Sequence, residues 1–237
     1  VVERWRGRGA GLSNVALEAW VGANGRLDFL DVQEQSTEAL HFRSQEVRLG
    51  QDAHFAGACL TIGARLARND VRIRLESTGG ECRLDGVTLV QGTQHADHQT
   101  YIDHAKPHGT SHQLYKGILD DRARSVFSGR VLVEPHAQKT DARQANHSLV
   151  LSPDAVADAK PQLEIFADDV KCAHGATVGQ LDEDALFYLR SRGLAPREAR
   201  RLLLHAFASE IVERMPHGAL AAIARSVLDT HLPGGGS

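Results

Sequence analysis

Hydrophobic positions alternate with polar ones over short stretches in the first three quarters of the chain. They recur at helical spacing only near its end. Val71, Ile73 and Leu75 alternate with Arg72 and Arg74, the period-2 signature of a strand with one buried face. Short strand-like runs also occupy Gly86 to Val90, Arg130 to Val133, Ser148 to Leu151 and Leu163 to Phe166. Turn-forming residues punctuate them: Asn69-Asp70, Gly79-Gly80, Asp85-Gly86 and Ser152-Pro153-Asp154. From about Arg26 to Val178 no 3.6-residue period emerges. About 150 residues of short strands without intervening helices point to a sandwich, a barrel or a β-solenoid. No strict sequence repeat singles out the solenoid, so spacing alone leaves the three open.

After Leu181 the pattern switches. Asp182, Glu183 and Asp184 place acids where a helix N-terminus favours them, Leu186, Tyr188 and Leu189 follow, and Gly193 stops the helix. Pro196 suits the first turn of a second helix, over 196–215, with Ala199, Leu202, Leu203, Ala206, Ile211 and Met215 as its apolar stripe. Pro216 and Gly218 separate it from a third, over 217–231, carrying Leu220, Ile223, Ala224, Val227 and Leu228. Two apolar helices after a β domain either dock on its end or bind a partner, and docking is the simpler expectation.

The chain has 237 residues, enough for one large domain or two small ones. With 27 basic and 30 acidic side chains the formal charge is −3, which gives no electrostatic footprint for nucleic acid or an anionic membrane. No segment approaches the ~18 continuous apolar residues of a spanning helix. The chain starts at Val1 without a signal-peptide pattern, as a trimmed fragment would, and residues 233–237 read as a flexible or engineered tail. Cys59, Cys82 and Cys172 are widely spaced and include no CxxC pair, so a reducing cytoplasm fits better than a disulfide framework.

Motifs of self-contained chemistry are missing: there is no GxxxxGK[ST], GxGxxG after a strand, GxSxG or HExxH. His104, His108 and His112 are four apart, but Pro107 and Gly109 oppose a helix there. On a strand each would lie about 13 Å from the next, too far to share one ion. Asp168-Asp169 reads as a turn, and Cys59 and Cys82 as small apolar packing residues. Cys172 and His174 are two apart, so on a strand they share a face. A thiolate beside an imidazole suits zinc, iron or an iron–sulfur species, but two ligands do not complete a site. A buried cysteine next to a hydrogen-bonded histidine is the simpler alternative.

Three stretches carry a family resemblance. The first runs from Tyr101-Ile-Asp-His-Ala-Lys-Pro-His-Gly-Thr to Leu119. The second combines Gln138-Lys-Thr-Asp141, Asn146 and Leu149-Val-Leu-Ser-Pro153. The third is Lys160-Pro-Gln-Leu-Glu-Ile-Phe-Ala-Asp-Asp-Val-Lys-Cys-Ala-His-Gly-Ala-Thr-Val-Gly179, which continues into Leu181 to Gly193. Together they resemble the SufB/SufD family of iron–sulfur cluster assembly scaffolds, and Cys172 to Thr177 is most similar to the SufD branch. Two departures are the absence of the family's N-terminal helical region and Gly109, where some relatives have Cys.

The resemblance implies a mainly β protein: a right-handed parallel β-helix core over residues 1–180, then a small C-terminal α-helical domain over 181–232. It implies a non-enzymatic scaffold, cytoplasmic in bacteria or organellar in eukaryotes. Such a subunit pairs with a SufB-like scaffold through the end of the β-helix, with a homodimer as the form open to it alone. It docks a SufC-like ATPase through the C-terminal helices, whose removal would leave the β-helix folded. The family's interface histidine maps to His174 and its neighbouring cysteine to Cys172. They would meet a transient iron–sulfur cluster or iron at the subunit interface, with nothing tightly bound by the isolated chain. The rival expectations are a β-helix carbohydrate-active enzyme, which needs clustered carboxylates and an aromatic platform, and a self-standing metalloenzyme built on His104, His108 or His112.

Overall fold

The protein is described by a computed structural model over residues 1–232, so the tail expected at 233–237 lies outside the described residues. Strands numbered β1 to β13 in chain order fall alternately into two sheets. One sheet holds β1 (Val2–Trp5), β3 (Arg26–Gln33), β5 (His54–Thr61), β7 (Glu81–Val90), β9 (Thr110–Leu119), β11 (Asp141–Val150) and β13 (Lys171–Gly179). The other holds β2 (Leu12–Val21), β4 (Leu40–Leu49), β6 (Leu66–Leu75), β8 (His95–His104), β10 (Arg124–Val133) and β12 (Val156–Ile165). Consecutive strands never pair. Each lies parallel to the strand two places earlier, one full turn of chain away. The result is a parallel β-solenoid of about six turns. It begins at Val2, ahead of the Arg26 start read from the pattern. In β2 the inward positions include Ala19 and the outward ones include Ala16 and Trp20, so the hydrophobic contrast between its faces is weak.

Alternation sends every second side chain into the space between the sheets. Phe29, Phe55, Leu84 and Tyr115 from one sheet meet Val47, Ile73, Ile102, Phe127 and Val131 from the other in a single apolar cluster. Val71, Ile73 and Leu75 do point inward, as their spacing indicates.

Three helices follow: α1 (Glu183–Ser191), α2 (Pro196–Glu213) and α3 (Gly218–His231). Asp182 caps α1 by accepting hydrogen bonds from the backbone N–H groups of Asp184 and Ala185, and Gly193 leaves it at φ 94°. Helices α2 and α3 lie on the outer face of the seven-stranded sheet, not on the end of the coil. Leu204, Ala208, Ile211 and Val212 of α2 and Ala224, Val227 and Leu228 of α3 pack on Leu30, Val32, Leu60, Ile62, Val87, Leu89 and Ile118. Polar clamps fix the docking: Lys116 Nζ donates to the Phe207 carbonyl at 3.0 Å and pairs with Glu210, and Arg214 Nε donates to Asp85 Oδ1 at 2.9 Å.

Two sequence expectations change. Leu202 and Ala206 face solvent, because the run Leu202-Leu203-Leu204 offers three apolar registers and the sheet selects the one led by Leu204. Residues 196–231 also cover an apolar sheet face, so deleting them would expose Leu30, Val32 and Leu60, which argues against the expectation that the β-helix stays folded without them. Truncating one contact measures this cover: Leu228→Ala should lose about 2 kcal/mol in a denaturant titration. An unchanged midpoint would mean that α3 is not docked.

Candidate interface and ligand site at the last turn

Among the described residues the last turn of the coil has no cap: strand β13 pairs only with β11, and β12 only with β10, so both strands of the last turn present an open edge. A free parallel edge is a template for another chain unless it is covered. Around it Phe166 is 61% exposed and Val178 50%, and Val156 and Ile165 are also exposed. Helix α1, which follows β13, buries none of its side chains and exposes Phe187 and Tyr188.

Cys172 and His174 lie on β13, with Ala142 and Gln144 of β11 as their register partners. Both take the inward parity. Cys172 is half-buried against the interior apolar cluster, and His174 is exposed because no further turn covers it. Burial pushes the Cys172 thiol up from its ordinary value, against the lowering effect of a hydrogen bond with the Ala142 backbone. A thiol so held stays protonated near neutral pH and must lose that proton to ligate a metal. On the facing strand the inward positions are the half-buried Ala157, Ala159, Pro161 and Leu163. The last turn therefore offers one imidazole and one thiol, and further ligands must come from outside the chain.

The coil interior contributes a feature that sequence reading missed. Polar side chains share the lumen with the apolar cluster. Thr100 Oγ1 donates to Gln113 Oε1 at 2.8 Å, and His98 Nε2 lies 3.0 Å from Thr88 Oγ1. Gln113, Gln144 and His174 are successive rungs of one inward ladder that ends at the open turn. Nothing in the sequence marks them, because polar residues occupy both faces of β11 and only the register separates Gln144 from its outward neighbours.

The histidine triplet does not assemble. His104 is buried in the lumen, with Nε2 2.8 Å from Ser111 Oγ. His108 sits in a turn at φ 61°, and His112 faces outward on β9, 3.9 Å from Asp141. Among the described residues no group of three or more His, Cys, Asp or Glu is placed to hold one ion. Cys82 packs in the lumen and Cys59 is partly buried against it, and burial raises both thiols. The open outer face of the six-stranded sheet carries carboxylates, but its Asp97, Asp158 and Glu164 are ion-paired to Arg68, Arg124 and Arg130. Carboxylates tied up in this way are poor general acids or bases for glycoside cleavage. No helix among the described residues is long and apolar enough to cross a membrane.

Fold and end geometry together define a parallel β-solenoid with a helix pair on its flank and an open last turn bearing Cys172 and His174. Comparison with known proteins places that architecture. The model of the SUF system FeS cluster assembly SufBD core domain matches residues 1–207, and the chain belongs to this family. It is 38% identical over 208 residues to an iron–sulfur cluster assembly SufBD family protein of Synechocystis, covering 88% of this chain and 46% of that one. It is 34% identical over 215 residues to the iron–sulfur cluster assembly protein SufD of Escherichia coli, covering 91% and 51%. A chloroplastic protein of Arabidopsis thaliana, ABCI7, is 34% identical over 215 residues, covering 90% and 45%. The chain spans about half the length of these curated relatives.

Proposed function

We propose that this chain is a SufD-like scaffold subunit of an iron–sulfur cluster assembly complex. The observation that carries the reading is the uncapped last turn, where two open strand edges and exposed apolar side chains surround an inward-facing imidazole and thiol. A SufB-like subunit covers this end by edge and side-chain contacts. His174, with Cys172 beside it, then faces ligands from that partner, and the nascent cluster or its iron is held between the chains as cargo. A SufC-like ATPase docks on the outward side of the helices, where Arg197 and Leu202 are exposed, since the inner stripe is spent on the sheet. The chain acts as a scaffold, and ATP hydrolysis belongs to the partner.

In the assembled complex, His174→Ala should lower reconstituted cluster absorbance at least about tenfold, because removing a ligand costs no less than disturbing its supports. Co-purification of the partner should remain, because the edge and apolar contacts are untouched. Cys172→Ser should have a smaller effect, since its thiol is half-buried and held protonated. Normal cluster yield from His174→Ala would return this residue to an ordinary interface histidine.

A further inference from the structure

The end of the interior polar ladder is unfinished. Gln144 is 2% exposed, yet neither Nε2 nor Oε1 of its amide has a hydrogen-bond partner among the described residues. A buried donor and acceptor left without partners have lost their water and gained nothing in return. A fold seldom keeps such a group without a use for it. One rung deeper, Gln113 is also buried; its Oε1 is engaged by Thr100 and its Nε2 is free. One rung outward, in register with Gln144 and on the same inward face, is His174. Rungs of a sheet lie about 4.8 Å apart, so a glutamine amide reaches the ring stacked above it. The space for that amide comes from the opposite sheet. A Cβ on Gly129 would stand 2.1 Å from Gln144 Nε2 and 2.9 Å from Phe127 Cζ, so a side chain at 129 would displace the amide.

We infer that Gln144 is a positioning residue for His174: its Oε1 accepts the ring N–H once a partner covers the last turn and excludes water. A histidine that binds a metal through one nitrogen carries its proton on the other, and an acceptor there fixes both tautomer and ring orientation. Gln144 is the acceptor the fold holds ready behind the ring. Its Nε2 is left to donate down the ladder, toward the second lone pair of Gln113 Oε1. The exposed end thereby gains an imidazole with its free lone pair directed outward. This inference rests on the proposed ligand role of His174 and adds the residue that aims it.

The test uses the full chain in complex with its SufB-like partner, with cobalt(II) alone as the probe, read by its visible ligand-field spectrum. Gln144→Leu keeps the bulk of the side chain and removes the acceptor. It should weaken cobalt binding about 10–100-fold, the usual effect of losing a ligand's outer partner, with partner co-purification unchanged. Gln144→Glu keeps an acceptor oxygen and should bind within a few-fold of wild type, whereas a role resting on the amide N–H would lose binding. Gly129→Ala perturbs the amide from the other side with Gln144 intact, and should reproduce the loss if Gln144→Leu does not fold. Wild-type cobalt affinity in Gln144→Leu, alongside a clear loss in His174→Ala, would overturn the positioning role and leave the ligand reading standing. No loss in His174→Ala would remove the ligand reading itself, and this inference with it.

Discussion

Lowering the pH from 7 to 4.5 should destabilise the native chain by about 3 kcal/mol, measured as the shift of a urea transition. Three lumen histidines drive the loss. His41, His98 and His104 are buried, and desolvation lowers each to about 4, reinforced at His41 by Arg43 and opposed at His98 by Asp97. In the unfolded chain each protonates near 6.5. Between those values the unfolded state holds more protons, so stability is complete above about pH 6.5 and drains away as pH falls toward 4. Buried acids oppose this. Desolvation raises Asp31 and Asp85 to about 6, against the pull of Arg43 and Arg214. The native state takes up their protons first, so they return stability as pH falls from about 6 toward the ordinary aspartate range. Three histidines at about 2.5 kcal/mol each outweigh two aspartates at about 2 kcal/mol each. A urea midpoint at pH 4.5 equal to or above that at pH 7 would contradict the balance. In His98→Asn the acid-induced shift should shrink by about 2 kcal/mol, because one of the three titrations is gone.

Gly63→Ala should prevent native folding or cost more than about 4 kcal/mol, the range of severe steric and packing defects. After β5 the chain crosses beneath the preceding turn. The Gly63 N–H donates to the Gln33 carbonyl at 3.2 Å and to Gln33 Oε1 at 2.9 Å, and the next N–H, from Ala64, reaches the Gln35 carbonyl at 3.1 Å. A Cβ on Gly63 would stand 2.0 Å from the Gln35 carbonyl oxygen and 2.5 Å from the Gln35 nitrogen. Both are backbone atoms, so no rotamer change relieves the overlap, and the two turns must separate. Gly22 is the control: nothing lies within 4 Å of a Cβ placed there, so Gly22→Ala should be nearly neutral. A soluble Gly63→Ala protein melting with the wild type would show that this crossing yields more readily than its contacts indicate.

The solenoid's repeat was hard to see in the sequence because the inward ladders mix chemistry freely. One ladder reads Leu49, Leu75, His104, Val133 and Ile165; another reads Arg43, Asn69, His98 and Phe127. A turn of the coil constrains where a strand starts and which parity faces in, not which residue fills each rung. The alternating runs were therefore legible one at a time, while their stacking was not. Family resemblance supplied the architecture that periodicity left open among three classes. The helices were easier, since acids at 182–184, Pro196, Pro216 and Gly218 mark boundaries by local backbone chemistry. Their placement was not legible, because an apolar stripe states that a face is buried and not against what.

Alternation, turn residues and capping act over a few positions, so the sequence by itself determined the strand-rich body, the switch near Leu181, and the pairing of Cys172 and His174 on one strand face. Contacts between residues about 30 or more apart decided the rest. Register placed Gln144 behind His174 and dispersed His104, His108 and His112 to three different environments, while the docking of α2 brought Arg214 over Asp85. It also laid α2 and α3 along the flank of the coil, leaving the last turn open. Such juxtapositions depend on the number of residues in each intervening turn, and that length is set by how the whole coil closes its core.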